Sequence, residues 1–346
     1  MGVKIGEIIP ESAVEKISLE TLSGKVIALD AFNILYQFLA TIRGPDGKPL
    51  MDRRGRVTSH LNGLFFRTIN FLEKGIKPVY VFDGRPPEEK RATVEKRMEA
   101  REEARRMYEQ ALEAGELEEA RKYAQRAATL EQYMVESSVQ LLEAMNIPYV
   151  KAPSEGEAQA AYMAVKGDAY ASGSQDMDSL LFGSPRLVRN LSIVGRRKLP
   201  GRKEYVEVEP EIIYLEKTLK GLGITREQLV DIALLIGTDY SPQVRGIGPK
   251  TALKLVKQYG SIEKVVELER ITLGFEPERI RERFLKPNVT GDYRVEFGEP
   301  DEERVIDLLC GEYDFSRERV QKALRELDKA VKQMRGRTSL DAFLQG

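Results

Sequence analysis

The chain has 346 residues, 42% of them apolar, which is enough for one substantial core with appendages. Its 54 basic and 55 acidic residues nearly cancel, so bulk charge excludes a wholesale polyanion binder, and any contact with nucleic acid must rest on charge segregated to one face. A single cysteine, Cys310, excludes an internal disulfide framework, one histidine, His60, disfavours a zinc centre, and no 18-residue apolar run or secretory segment is present; a soluble, intracellular and cytoplasmic protein without a membrane partner is expected.

In chain order, four stretches read as buried strands from their apolar and β-branched content: KVIALDAF (25–32), KPVYVFDG (77–84), IPYVKAPSEGE (147–157) and AYASGSQDMDSLLF (169–182). Helical periodicity fills the intervals, over TSHLNGLFFRTINFLEKG (58–75), the long charged run 86–146 and EAQAAYMAVKG (157–167). Such alternation predicts a mostly parallel sheet covered on both faces, a three-layer α/β/α core. At 185–209, PRLVRNLSI and RKEYVEVEP flank a VGRRKLPGR turn and predict a hairpin at one sheet edge. From about 210 onward the chain reads as helical, apart from a Pro/Gly-containing loop near 286–300.

Each predicted strand ends in acid. Asp30 closes the first, Asp83 the second, Glu155 and Glu157 follow the third, and Asp176 and Asp178 follow the fourth. Local structure offers an alternative for each: an aspartate can cap a helix, Asp83-Gly84 can make a turn, and Ser154-x-x-Glu157 has capping-box spacing. In an open parallel sheet, however, the carboxyl ends of the strands share one edge, where ligands bind, so one cleft would collect all six carboxylates. Like charges that close repel and raise one another's pKa unless a divalent cation neutralises them, and oxygen-only ligands suit Mg²⁺ or Mn²⁺. Two such ions about 4 Å apart activate a water and stabilise the leaving oxygen at phosphorus, which is phosphodiester hydrolysis without a histidine base.

Two further stretches point to a nucleic-acid substrate. In EEKRATVEKRMEAREEARR (88–106) the charges are nearly balanced, as on a solvated helix laced with i,i+4 pairs. Yet Lys90, Arg97, Arg101 and Arg105 recur on one face, while Glu95, Glu99, Glu102 and Glu103 fall on the other. A basic stripe beside an acidic cleft suits a phosphate backbone. In LLIGTDYSPQVRGIGPKTALKLVKQYG (234–260), GIGPK supplies glycines for a tight turn and a proline near a helix start, so that backbone N–H groups can face a phosphate. Lys250, Lys254 and Lys257 then share one helical face, with a plain helical hairpin as the alternative. Asp239, just before the turn, is within reach of the cleft as a seventh carboxylate.

Over nearly its whole length the chain resembles the flap endonucleases, structure-specific 5′-nucleases, in their archaeal form. The markers are LDAFNILYQFL (29–39), TSHLNGLFFRT (58–68), GIKPVYVFDGRPPEEK (75–90), APSEGEAQAAY (152–162), SQDMDSLLFG (174–183) and GTDYSPQVRGIGPKTA (237–252). The resemblance implies a PIN-like nuclease core that cuts branched DNA carrying a 5′ flap, in replication (Okazaki fragment processing) and repair, with a 5′-3′ exonuclease activity besides. It implies Asp30, Asp83, Glu155, Glu157, Asp176, Asp178 and Asp239 as ligands of two Mg²⁺ ions, for which Mn²⁺ substitutes. Lys90 and Arg97 would meet the scissile phosphate, and Tyr36 would stack the base of the cleaved strand. Arg101, Arg105, Gly246, Gly248, Lys250, Thr251, Lys254 and Lys257 would hold DNA, a K⁺ ion would sit in the 237–248 turn, and Thr58 and Phe315 would belong to a pocket for a one-nucleotide 3′ flap.

The tail RTSLDAFL (337–344) departs from the family's sliding-clamp motif, since Arg337 stands where the motif begins with Gln and Leu344 replaces its second aromatic. Leu340, Phe343 and Leu344 remain as apolar anchors, so clamp binding is expected, weaker than usual in the family. The implied organisation is a nuclease core in two parts (1–84 and 136–224), a helical arch (85–135), a helical duplex-binding region with a helix-turn-helix pair and C-terminal helices (225–330), and a flexible clamp-binding tail (331–346), in a monomer. Two rivals stand beside it: a single-stranded RNA nuclease, for which the 234–260 duplex grip would be surplus, and a catalytically silent junction or clamp adaptor, in which unneutralised carboxylates would have no use.

Overall fold

The structure, a computed structural model, describes residues 2–44, 48–114, 116–191, 195–198 and 205–344. A short strand β1 (Val14–Lys16) precedes β2 (Val26–Asp30), which runs directly into helix α1 (Ala31–Thr41); α2 (Ser59–Glu73) and β3 (Lys77–Phe82) follow. The charged run 86–146 becomes three helices, α3 (Arg91–Glu113), α4 (Leu117–Arg126) and α5 (Gln132–Ala144). Next come β4 (Tyr149–Lys151), α6 (Gly156–Lys166), β5 (Ala171–Gly173), α7 (Asp178–Leu181), β6 (Arg186–Arg189), β7 (Gly195–Lys198), β8 (Tyr205–Val208) and β9 (Glu211–Tyr214). The remainder is helical: α8 (Leu215–Leu222), α9 (Arg226–Ile236), α10 (Pro249–Tyr259), α11 (Ile262–Leu268), α12 (Pro277–Leu285), α13 (Glu302–Ile306) and α14 (Arg317–Leu344).

Seven strands form one sheet in the order β1-β9-β6-β5-β2-β3-β4. The five from β6 to β4 are parallel, and β9 and β1 extend the β6 edge with antiparallel pairings. The chain steps outward from β2 to β3 and β4, then returns to the other flank of β2 for β5 and β6, which puts the reversal of direction beside β2. Alternation along the strands feeds both faces. Ile27, Leu29, Tyr80 and Phe82 enter a core with α1, α2, α5 and α14, while Ala28, Val79 and Val81 meet Ala160 and Met163 of α6. A further apolar cluster joins α7 to α9, α10, α11 and α12 through Leu181, Leu229, Val256, Ile262 and Phe284. No described helix is long and apolar enough to cross a membrane.

Two expectations change. The segment PRLVRN does not form one arm of an edge hairpin: Leu187 and Val188 are buried and β6 lies inside the sheet beside β5, while the hairpin is β7–β8, a separate two-stranded sheet. Apolar residues adjacent in sequence and both buried mark a strand covered on two faces, a signal that the flanking basic turn obscured. The supposedly helical region begins with a strand, β9, whose Ile212 and Ile213 are likewise buried, and α13 and α14 leave the α9–α12 cluster altogether. They cross back by a non-helical strap, 286–301, and join the main core through Val305, Leu309, Leu324 and Leu327. The last helix, α14, runs on to Leu344; the segment has no proline, and Gly336 alone costs a helix only about 1 kcal/mol.

Candidate active site

The strands β5, β2, β3 and β4 are neighbours, so the acids at their carboxyl ends converge on one cleft. Asp30 both ends β2 and caps α1, its carboxylate accepting the N–H of Asn33 at 3.0 Å. Asp83, one residue past β3, accepts the N–H of Gly156 at 2.6 Å. Glu157 accepts the Ser174 hydroxyl at 2.7 Å, and Asp178, in the first turn of α7, accepts the N–H of Val3 at 2.7 Å. The side-chain amide of Asn33 reaches Asp176 at 3.4 Å. No capping box forms at Ser154 and Glu157, because the N-cap of α6 is Glu155, without a side-chain cap.

Crowding of these acids shows in their proton affinities. Burial first, then the charges of Asp83 and Asp176, push Asp30 up to about 8. Burial likewise pushes Asp178 up to about 7, against the Val3 N–H and with help from Asp239 and Asp176. Glu157 is driven well above the carboxylate range by burial and by Asp178, Asp30 and Asp176. Asp83 and Glu155 are raised by burial too, although part of Asp83 opens to the cleft and Lys90 opposes the shift at both.

Cations answer part of this charge. Lys90 pairs with Glu155 and places Nζ 3.2 Å from Asp239; burial works against its ammonium, but Glu155 and Asp239 outweigh that and hold it charged. Arg97 sets Nη2 2.5 Å from the other Asp239 oxygen, and the Thr93 hydroxyl donates to the Asp239 carbonyl at 2.8 Å. One turn on, the Arg101 guanidinium lies 4.5 Å over the ring of Tyr36 in α1. Arg105 is exposed and reaches Glu109 at 3.6 Å, and Glu95, Glu99, Glu102 and Glu103 face solvent. Buried Ala104, Ala111, Ala120 and Ala124 let α3 and α4 pack closely, and Arg43, just past α1, donates to the Ala124 carbonyl at 2.9 Å. The α3–α4 hairpin therefore runs from the cleft back to α1.

No three of the described His, Cys, Asp or Glu residues are arranged, as they stand, to hold a metal ion, and Glu155 and Asp239 are engaged by Lys90 and Arg97. The donor set nonetheless fits hard divalent cations. It is all oxygen, and Asp30, Glu157 and Asp178 take their hydrogen bonds from neutral donors that leave their mutual repulsion in place.

Beyond the cleft, α9 and α10 pack together and are joined by 237–248, the loop that delivers Asp239. Within it the Thr238 and Ser241 hydroxyls are 2.9 Å apart; Gly248 is the N-cap of α10 and Pro249 its first residue. Ala252 and Val256 are buried, which leaves Lys250, Thr251 and Lys254 exposed beyond Gly246. Lys257 has a structural contact as well, its Nζ donating to the Leu222 carbonyl at 2.7 Å. The segments carrying Thr58 and Phe315 are tied together by Arg56, which pairs with Asp52 at 2.7 Å and Glu312 at 3.1 Å and lies 4.2 Å over the Tyr313 ring. The side chains of Leu340, Phe343 and Leu344 lie outside the described residues.

Three contributors escaped the sequence reading. Gly156 has no room for a side chain, since a Cβ would sit 2.9 Å from the Asp83 carboxylate; its position between two acids in SEGE was the available signal. At Gly2 a Cβ would come within 2.6 Å of Asp176, a long-range contact that no local pattern announces. Asn33 joins Asp30 to Asp176, with its own amide oxygen accepting from Gln37 at 2.6 Å.

Known proteins align with this architecture. The XPG N-terminal domain matches residues 1–104 and the XPG I-region residues 146–239. Flap endonuclease 1 of Aeropyrum pernix is 60% identical over 345 residues, covering 98% of each chain. The solved flap endonuclease-1 of Methanococcus jannaschii superposes with a TM-score of 0.75 at 41% identity, over 96% of this chain and 99% of that one. The catalytic core of Rad2 in complex with DNA substrate shares the fold, with a TM-score of 0.70 at 22% identity over 94% and 100%.

The raised carboxyls fix a sign for pH dependence. Asp30 at about 8 and Asp178 at about 7 hold protons in the folded chain that the unfolded chain releases near pH 4, so their stabilisation is complete below that pH and lost as pH rises through 7 to 8. Thermal melts of the metal-free protein should fall from pH 5 to pH 8, and Mg²⁺ should raise the melting temperature more at pH 8 than at pH 5. An Asp178→Asn variant should melt higher than wild type at pH 8 without metal, and should gain less from Mg²⁺.

Proposed function

The chain belongs to the flap endonuclease family and is a structure-specific 5′ flap nuclease, and we propose that its chemistry is two-metal phosphodiester hydrolysis in the cleft where four strand ends deliver their acids. The observation that carries this reading is the meeting of Asp30, Asp83, Glu155, Glu157, Asp176 and Asp178 with Asp239, Lys90 and Arg97 in one place. The seven acids would hold two Mg²⁺ ions, with Mn²⁺ as a substitute. When bound, such ions supply an activated water and stabilise the leaving oxygen. Lys90 and Arg97 turn from Glu155 and Asp239 to the scissile phosphate, where fixed positive charge stabilises the charge that develops during reaction. Tyr36 exchanges the Arg101 guanidinium for a base of the cleaved strand, a swap of one flat partner for another.

Substrate selection rests on the remaining contacts. Gly246, Gly248, Lys250, Thr251, Lys254 and Lys257 grip the duplex backbone, with K⁺ held in the 237–248 turn, and Arg101 and Arg105 follow the strand under the arch. Thr58 and Phe315 flank the pocket for a single 3′ nucleotide. The enzyme acts as an intracellular monomer in Okazaki fragment processing and repair, trims 5′ ends as an exonuclease, and is recruited by a sliding clamp that takes Leu340, Phe343 and Leu344.

Incubation with end-labelled single-stranded, duplex, 5′-flap and RNA substrates, with and without Mg²⁺, tests the reading; Mg²⁺-dependent cleavage is expected to be fastest at the 5′-flap junction, with slower trimming of duplex 5′ ends, and efficient cutting of unstructured RNA would contradict it. Lys90→Ala and Arg97→Ala should each reduce the single-turnover rate by about 100-fold or more while flap affinity changes little, and equal losses in both would make them ordinary backbone contacts. Lys254→Ala should instead weaken duplex binding and flatten its salt dependence by about one unit of slope. Phe343→Ala should abolish stimulation by the clamp and leave clamp-free cleavage intact.

A further inference from the structure

Glu89 stands next to Lys90 but pairs with a different element. It lies in the 3-10 turn Glu88–Lys90, entered through Pro86 and Pro87, whose rings fix the approach of the chain. Within that turn the Lys90 N–H bonds back to the Pro87 carbonyl at 3.1 Å. The Glu89 side chain is only 13% exposed, and two arginines of α12 close on it: Arg283 Nη2 sits 3.0 and 3.1 Å from its two oxygens, and Arg279 Nη2 sits 2.7 Å from one of them.

The helix that holds Glu89 also holds two other parts of the site. Phe284, beside Arg283, is buried with its ring 5.0 Å from Phe182 and 5.3 Å from Tyr240. Phe182 ends α7, the helix that starts at Asp178, and Tyr240 follows Asp239. Arg226 of α9 donates to the carbonyl of Leu285 at 3.2 Å and fixes the far end of α12. A single helix of the duplex-binding cluster thus touches the elements that carry Asp178, Asp239 and Lys90.

We infer that Glu89 is a positioning residue, through which α12 sets the reach of Lys90 toward Asp239 and the scissile phosphate. The inference rests on the reading of Lys90 given above. Exposed ion pairs contribute little to stability, but a mostly buried carboxylate gripped by two guanidinium groups from one helix specifies direction. Without it, the turn is held only by its own backbone hydrogen bonds, Lys90 N–H to the Pro87 carbonyl and Arg91 N–H to the Glu88 carbonyl, while Glu155 and Asp239 draw Lys90 inward. An ångström of misplacement at a reacting centre is enough to cost one to two orders of magnitude in rate.

The test is single-turnover cleavage of a 5′-flap substrate by the full chain, with flap affinity and thermal melting measured in parallel. Glu89→Ala and Glu89→Gln should each lower the rate about tenfold with affinity held within about twofold, and both losses should vanish in a Lys90→Ala background. Glu89→Arg combined with Arg279→Glu and Arg283→Glu should recover rate relative to Glu89→Arg alone. A wild-type rate in folded Glu89→Gln, or the same fold loss with and without Lys90, overturns the inference and leaves Lys90's own role standing. A wild-type rate in Lys90→Ala overturns both. If Glu89→Ala does not fold, Glu89→Gln, which keeps the size and one acceptor oxygen but loses the charge and the second acceptor, carries the comparison alone.

Discussion

Carboxylates that share a partly buried cleft cannot all be ionised without positive charge among them, and the rest of the site is arranged around that constraint. The parallel sheet creates it. Adjacent strands β5, β2, β3 and β4 end at one edge, and their acids follow within a few residues of each end. Protonation, cationic side chains and metal ions are the three available remedies. Two act on the acids as they stand: burial and mutual repulsion push Asp30, Glu157 and Asp178 toward the protonated form, and Glu155 and Asp239 engage Lys90 and Arg97. The third, proposed here as the working state, would free those two cations for a substrate that is itself anionic.

This gives a nearly neutral chain a way to handle DNA. On the proposed reading, phosphate would meet basic groups at two places: Lys90, Arg97 and Arg101 at the base of α3 beside the cleft, and Lys250 and Lys254 on the exposed face of α10 beyond it. The outer face of α3 carries Glu95, Glu99, Glu102 and Glu103, which with Glu109 and Glu113 balance the basic residues of that helix. The α3–α4 hairpin is not an independent attachment. Lys90, Thr93 and Arg97 tie its base to Asp239 and Glu155, Arg101 rests on Tyr36, and Arg43 ties α4 to α1. Because α12 grips Glu89 while packing on Phe182 and Tyr240, the α9–α12 cluster and the acid cleft share one mechanical element.

Much of this was legible in sequence where signals were local and periodic. The runs ending at Asp30, Asp83, Glu155 and Asp176 carry both the strand signal and the acid, so fold and site could be read together. The face rule separated Lys90, Arg97 and Arg101 from the glutamates by helical spacing alone. Short strands were harder: β6 and β9 have four residues each, too few to distinguish a central strand from a hairpin arm or a helix start. What stayed hidden depends on distant contacts. Nothing local to Gly2 indicates Asp176, and nothing near Glu89 indicates Arg279 or Arg283, since each pairing joins segments far apart in the chain. The departure of α13 and α14 from the α9–α12 cluster is of the same kind, decided by which core their apolar stripes fill.

Calorimetric titration of Mn²⁺ into the metal-free protein, in two buffers of different ionisation enthalpy near pH 7, is the most direct measurement of whether the acid cluster requires cations. Ions that replace protons on Asp30, Glu157 and Asp178 must release them, so two ions should bind with a buffer-dependent heat corresponding to net proton release, and Asp178→Asn should release fewer protons. Absence of binding, or binding with the same heat in both buffers, would contradict the account.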